Sequence, residues 1–237
     1  MNNHNEVLQA DGFQIEVIRT DRKKTMSLKV LAGRVQVRVP RATSATRVAD
    51  LVTRKAHWIR EKLLQQQSRQ PELVKRYVTG ERYLFLGDEV VLQVEPGVIK
   101  QVALTDGVLR VQVPNRVRKR EQYVGRAVQE WFHAAAMAQL PARVDHFAAR
   151  VGAVPAAIKV RRYKARWGSC SSRGELSFNW LIMAAPAVIR DYVVVHELCH
   201  LLHLNHSALF WAAVERMMPD YRQHRQWLRV NGWQLVV

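Results

Sequence analysis

Alternation of apolar and polar residues dominates the first half of the chain. The segment GRVQVRVP (33–40) recurs as GVLRVQVP (107–114), each a turn glycine, a period-two run and a proline that ends the strand. Each copy follows another alternating run, SLKVLA (27–32) or QVALTD (101–106), so each reads as a hairpin. A polar stretch then leads into a helical pattern carrying a tryptophan at a similar distance. These are VADLVTRKAHWIREKLL with Trp58 and YVGRAVQEWFHAAAMAQL with Trp131. The pattern predicts two hairpin-helix repeats, packed pseudo-symmetrically within one sheet-helix assembly. Between them, RYVTGERYLFLGDEVVLQVEPG (76–97) reads as short strands with turns at Thr79-Gly80, Gly87-Asp88 and Pro96-Gly97.

The second half changes rhythm. IKVRRYKARW (158–167) reads as one strand and WGSCSSRGE (167–175) as a loop. In LSFNW (176–180), Leu176, Phe178 and Trp180 alternate with Ser177 and Asn179. Pro186 then suits the first turn of a helix expected over about 187–203. The whole is an α+β pattern: a strand-rich N-terminal region, 1–115, followed by a region, 116–237, built around that helix and a mixed sheet.

Composition narrows the class of protein. With 237 residues and 48% hydrophobic content the chain can bury a sizeable core. No secretory h-region opens it and no apolar run is long enough to cross a bilayer. The two cysteines, Cys170 and Cys199, suit a reducing compartment, so a cytoplasmic protein with no membrane partner is expected. The charge adds something: 37 Lys plus Arg against 20 Asp plus Glu gives +17, which attracts polyanions and makes nucleic acid or nucleotides candidate partners of the basic surface. Arg161, Arg162, Lys164 and Arg166 form one cluster, and strand alternation would send the last three to one face. Oligomeric state leaves no signal in the sequence.

The densest chemistry lies in VVVHELCHLLHLNH (193–206). His196 and His200 are four residues apart, so a helix projects both imidazoles from one face a turn apart, at a spacing two ligands of a tetrahedral zinc need. Glu197 beside them is placed to act as general base on a metal-activated water. The third ligand is contested. His203 shares the face of His196 but stands about 10 Å further along a straight helix, at 1.5 Å per residue, too far to converge. His206 converges if the helix ends first, with Asn205 in the left-handed conformation and Ser207 capping a new helix. His206 is therefore the expected ligand, and His203 a support behind a ligand, a substrate contact or a polar residue at the helix end. The spacing of His196, His200 and His206 matches metzincins, but His203 stands at their glycine position and no Met-turn follows. A cysteine as fourth ligand would close the site and leave Glu197 without a role. Arg166, Tyr192 and His203 are candidates to stabilise an oxyanion, and Trp167 reads as a packing anchor.

The run RWGSCSSRGELSFNW followed by HELCHLLHLNHSALFW resembles the YgjP-like family of metal-dependent hydrolases, zincin-type proteins distantly similar to SprT-like metallopeptidases. The resemblance covers nearly the whole chain. It implies a zincin-like catalytic region, with His196, His200 and His206 on the metal and Glu197 as base. It also implies that Leu176, Ser177, Phe178 and Asn179 form the sheet edge above the active helix, where an extended peptide is laid. The expected function is a zinc-dependent metallopeptidase acting on extended peptide or protein. The alternatives are a hydrolase of a non-peptide anionic substrate, such as a nucleoside triphosphate pyrophosphatase, and a nucleic-acid-associated module with a structural zinc. Arg166 is a further candidate substrate contact.

Overall fold

A computed structural model describes residues 6–21, 24–31, 34–67, 75–99 and 101–237. It separates into two compact units, Met1–Leu73 and Val74–Val237, each with its own hydrophobic core.

The first unit contains β1 (Glu6–Ala10), β2 (Phe13–Thr20), β3 (Ser27–Leu31) and β4 (Arg34–Pro40), then α1 (Ala45–Arg54) and α2 (Ala56–Gln67). The sheet order is β1-β2-β4-β3, with β2 and β4 parallel and both outer pairs antiparallel. Alternation along β2 and β4 turns Ile15, Val17, Val35, Val37 and Val39 inward, against Val48 and Val52 of α1 and Ile59 of α2. Asp11 and Gly12, both at positive φ, make the tight β1–β2 turn. The other expected turn, at Ala32-Gly33, lies outside the described residues.

The second unit opens with β5 (Arg82–Phe85), β6 (Asp88–Gly97), β7 (Gln101–Thr105) and β8 (Val108–Pro114). Its sheet order is β5-β6-β8-β7, again with a parallel central pair and antiparallel outer pairs. The two hairpin runs thus sit in separate sheets of separate units, not in one assembly, because each sheet closes on its own helices. The tryptophans differ as well: Trp58 is exposed, whereas Trp131 packs 4.8 Å from Phe85. Pro96 and Gly97 make no turn; they end β6, paired with Val113 and Pro114.

Next comes α3 (Arg120–Val151), whose apolar ridge Val124, Val128, Phe132, Ala136, Leu140 and Val144 repeats every four residues and is buried along its length. Gly152 ends it in the left-handed conformation. A third sheet, β10-β11-β9, is built from β9 (Ala157–Arg161), β10 (Gly168–Cys170) and β11 (Glu175–Asn179). A 3-10 turn (Trp180–Ala184), α4 (Ala187–Cys199), α5 (Ala208–Met217) and α6 (Tyr221–Asn231) complete the chain before a last 3-10 turn. Sheet β5–β8, α3 and α4 share one core, so the compact units meet at 73/74, not at the compositional boundary of 115/116. Among the described residues the result is a mixed α+β architecture with three sheets and six α-helices. No helix among them is long and apolar enough to cross a membrane.

Two differences from the sequence reading bear on function. IKVRRYKARW is not one strand: β9 stops at Arg161 and β10 starts at Gly168, so residues 162–167 form a connection and the alternation argument for Arg162, Lys164 and Arg166 lapses. The strand Leu176–Asn179 is not a sheet edge either. It is the central strand, antiparallel to β10 and parallel to β9, and its residues are buried.

Candidate metal centre

Helix α4 begins behind Pro186 and is buried through most of its length, from Ile189 to Cys199. His196 and Glu197 occupy its last turn. The helix ends at Cys199, earlier than expected, and His200 keeps right-handed helical angles as its C-cap. Tight bonds from the amides of Leu201 to the Leu198 carbonyl (2.9 Å) and Leu202 to the Cys199 carbonyl (3.1 Å) close the terminus. Asn205 is not left-handed; the 3-10 bonds do the work assigned to it. Ser207 caps α5 as expected, its hydroxyl accepting from the Phe210 amide at 3.4 Å. The reversal between α4 and α5 brings His206 back over the helix.

His206 Nε2 lies 3.1 Å from His196 Nε2, and ligand nitrogens of His196, His200 and His206 all fall within 4.8 Å of one another. A tetrahedral zinc imposes nitrogen separations of roughly 3.3 Å. His200 Nδ1 faces the carbonyl of His203 at 3.1 Å, which leaves Nε2 free toward the cluster. Phe210, fully buried, touches all three imidazoles with centroids 4.9, 4.4 and 4.8 Å away, and Trp211 stacks on His206 at 5.5 Å. Burial, reinforced by the neighbouring rings, depresses the His196 pKa to about 3 and lowers that of His200. These rings are therefore neutral near pH 7, with lone pairs available to a cation. The donor set fits a metal ion: the Nε2 atoms of His196 and His206 stand 3.1 Å apart and must otherwise share a proton.

Glu197 is 5% exposed, and burial pushes its carboxyl up to about 8, against the opposing pull of Arg166. Its space is provided by Gly168: a Cβ there would lie 2.5 Å from Glu197 Oε1 and 2.6 Å from Cγ. Glycine is required for room, not for backbone angle. Both residues line an open cavity of about 620 Å³, together with Arg166, Trp167, Tyr192, His196 and His206. Tyr192 is 4% exposed, its ring 5.8 Å from His196, and burial raises its hydroxyl to about 12.

The other sequence candidates divide. Leu176 and Phe178 are core residues and Ser177 is buried, so none reaches the cavity. Asn179 acts at one remove: its Nδ2 donates to the carbonyls of Tyr163 and Arg166, both at 3.2 Å, and so holds the connection that carries Arg166. His203 reaches the site only through its carbonyl on His200. Of the basic cluster, Arg166 alone lines the cavity; Arg162 lies 5.9 Å over Trp180. The cysteines stay outside the histidine group, and burial raises the Cys199 thiol to about 11. The sequence reading missed Gly168, Trp211, Arg225 and Arg229, which also line the cavity. Gly168 follows from the strand order alone: β10, not β11, is the edge packed on α4.

A buried glutamate beside three converging histidines, at the wall of an open cleft, forms a candidate metal centre. The chain belongs to the YgjP-like family: the model described as "YgjP-like, metallopeptidase domain" matches residues 24–231. No curated protein matches the chain. Among solved structures it is similar to the metallopeptidase zymogen of Pyrococcus abyssi abylysin, at 19% identity, over 42% of this chain and 100% of that chain, with a TM-score of 0.38.

Proposed function

We propose that this protein is a zinc-dependent metallopeptidase with a zincin-like catalytic region. The observation that carries the reading is the convergence of the His196, His200 and His206 nitrogens next to the buried carboxyl of Glu197. Zinc held by those nitrogens would supply Lewis acidity to the attacking water and to the scissile carbonyl.

The remaining chemistry belongs to the chain. The bonds from Asn179 N to Trp167 O and from Ser171 N to Glu175 O turn Trp167, Ser169 and Ser171 toward β11. The backbone groups of Gly168 and Cys170 then face the free edge of β10, and no described residue pairs with them. An extended peptide adding to that edge runs directly past Glu197. A cation held beside Glu197 would favour its carboxylate form, and as carboxylate Glu197 takes the proton of the attacking water and returns it to the departing amine. The Tyr192 hydroxyl, protonated and without a hydrogen-bond partner among the described residues, supplies a donor to the oxyanion that develops on the carbonyl.

The matching order and pairing of the sheets β1–β4 and β5–β8 also supports an internal hairpin duplication. A second functional reading, hydrolysis of an anionic non-peptide substrate, is favoured by Arg166, Arg225 and Arg229 on the cavity wall. The deciding experiment measures metal content and turnover of denatured protein and nucleoside triphosphates, with Glu197→Gln as control. Peptide cleavage lost in the variant, with one zinc retained, supports the peptidase. Cleavage of triphosphates alone, by the same glutamate, would replace it with the second reading.

A further inference from the structure

Helix α6 presents Arg222, Arg225 and Arg229 at i, i+3 and i+7, one face of the helix. Arg225 and Arg229 line the cavity beside Glu197, and with Arg222 they also line a recess of about 380 Å³. Arg222 is engaged by Glu215 at 3.3 Å. Arg225 and Arg229 have no carboxylate partner among the described residues, although they are like charges one turn apart, which a helix disfavours. Arg225 is held in place: its guanidinium sits 4.9 Å over Trp211, the ring that stacks on His206. Arg166 lines the same cavity. Glu197 is the single acidic residue of the lining, and it belongs to the catalytic machinery. Arg166 acts on Glu197, whereas Arg225 and Arg229 have no acidic partner in the lining, and an anion from outside would complete that pair.

We infer that the α6 wall, Arg225 and Arg229, is an anchoring subsite for a carboxylate of the peptide substrate, close to the scissile bond. The inference rests on the peptidase reading and gives it a substrate class. Two features favour a peptide carboxylate over a polyphosphate. The same lining includes the apolar residues Trp167, Val193 and Leu228, which suit side chains. Gly168 brings the β10 edge into the same lining, and that edge offers N–H and C=O groups to an extended backbone. The carboxylate has two sources, an Asp or Glu side chain or the chain terminus, and both present the same flat pair of oxygens to a guanidinium fork.

The test separates binding from cleavage. Zinc-loaded full-length Glu197→Gln protein is titrated with fluorescent pools of short extended peptides, uncharged except at one fixed position. That position holds Glu or Gln, and each pool carries a free or an amidated C-terminus. Binding is read by anisotropy. The expected result is a preference of roughly tenfold or more for one carboxylate arm. It should collapse when Arg225→Gln and Arg229→Gln are added and return in part with Arg→Lys. Both arginines are exposed, so the variants should keep the parent's melting temperature. Equal binding of charged and neutral pools, or a preference that survives the arginine changes, overturns the inference. Arginine-dependent binding of inorganic triphosphate with none of the peptide pools overturns it as well. Protein with native Glu197 is run in parallel on the same pools. Cleavage without carboxylate preference sinks the subsite and leaves the peptidase standing, whereas carboxylate binding without cleavage of any pool sinks the peptidase alone.

Discussion

Gly168 and Glu197 lie 29 positions apart in the sequence yet occupy one another's space, and that contact governs what the base can do. A methyl group on residue 168 must push the carboxylate or the strand aside, since 2.5 Å is far inside contact distance. Misplacing a catalytic group by about 1 Å costs up to roughly a hundredfold in rate. Gly168→Ala is therefore expected to lower kcat about a hundredfold while zinc content stays at one per chain. Full activity in that variant would show that the carboxylate has room to spare. Glu197→Gln should abolish turnover and keep the metal, and Tyr192→Phe should lower kcat by roughly 10²-fold with little change in KM if its hydroxyl meets the oxyanion. A KM effect alone for Tyr192→Phe would mark it as a wall residue. The spacing of His196, Glu197 and His200 was legible from sequence because helix geometry dictates which side chains share a face. Gly168 was not, because its role depends on which strand lies beside α4, a long-range outcome no local pattern carries.

The short turn between α4 and α5 is the element on which the candidate site depends. It aims His206 at His196, and its far side is held by Ser207 and Phe210. That a break must fall between His200 and His206 was legible, because a straight helix cannot converge residues so far apart. How it would break was not: 3-10 bonds from Leu201 and Leu202 end the helix early, and Asn205 takes no left-handed turn. Phe210 also escaped notice, since a phenylalanine at a helical spacing reads as ordinary core. It is core, and it is the floor under three imidazoles. Phe210→Ala should cost about 3–5 kcal/mol of stability, as large buried truncations do. It should also weaken zinc binding, because the rings lose the surface that fixes their angles. Chelator competition and thermal melting together check this; normal zinc affinity in a destabilised variant would confine Phe210 to packing. The expected edge strand failed for a related reason. Leu176–Asn179 alternates like a half-exposed strand, but Ser177 is buried and the Asn179 amide is taken up by the carbonyls of Tyr163 and Arg166.

At the scale of the whole chain, two cores divide the work. One is built on Ile15, Val17, Val37 and Val48, and the other runs from sheet β5–β8 through α3 to the helices around the histidines. Every residue of the histidine cluster and the cavity wall belongs to the second, Val74–Val237. A unit with its own continuous core folds alone if few of its apolar residues depend on the rest of the chain. The buried faces of β6, β8 and α3 are satisfied within the second unit, as their shared core with α4 shows. A chain beginning at Val74 is therefore expected to bind one zinc with the affinity of the full protein and to keep the turnover of small peptides. The first unit would then serve something other than the chemistry, and the net charge of +17 offers a measurable candidate in polyanion binding. Such binding weakens linearly in log K against log salt as counterions are released. Comparing that slope for the full chain and the Val74–Val237 fragment tells where the polyanion footprint lies. If the fragment loses zinc or unfolds, the first unit is part of the catalytic body and the two cores do not act independently.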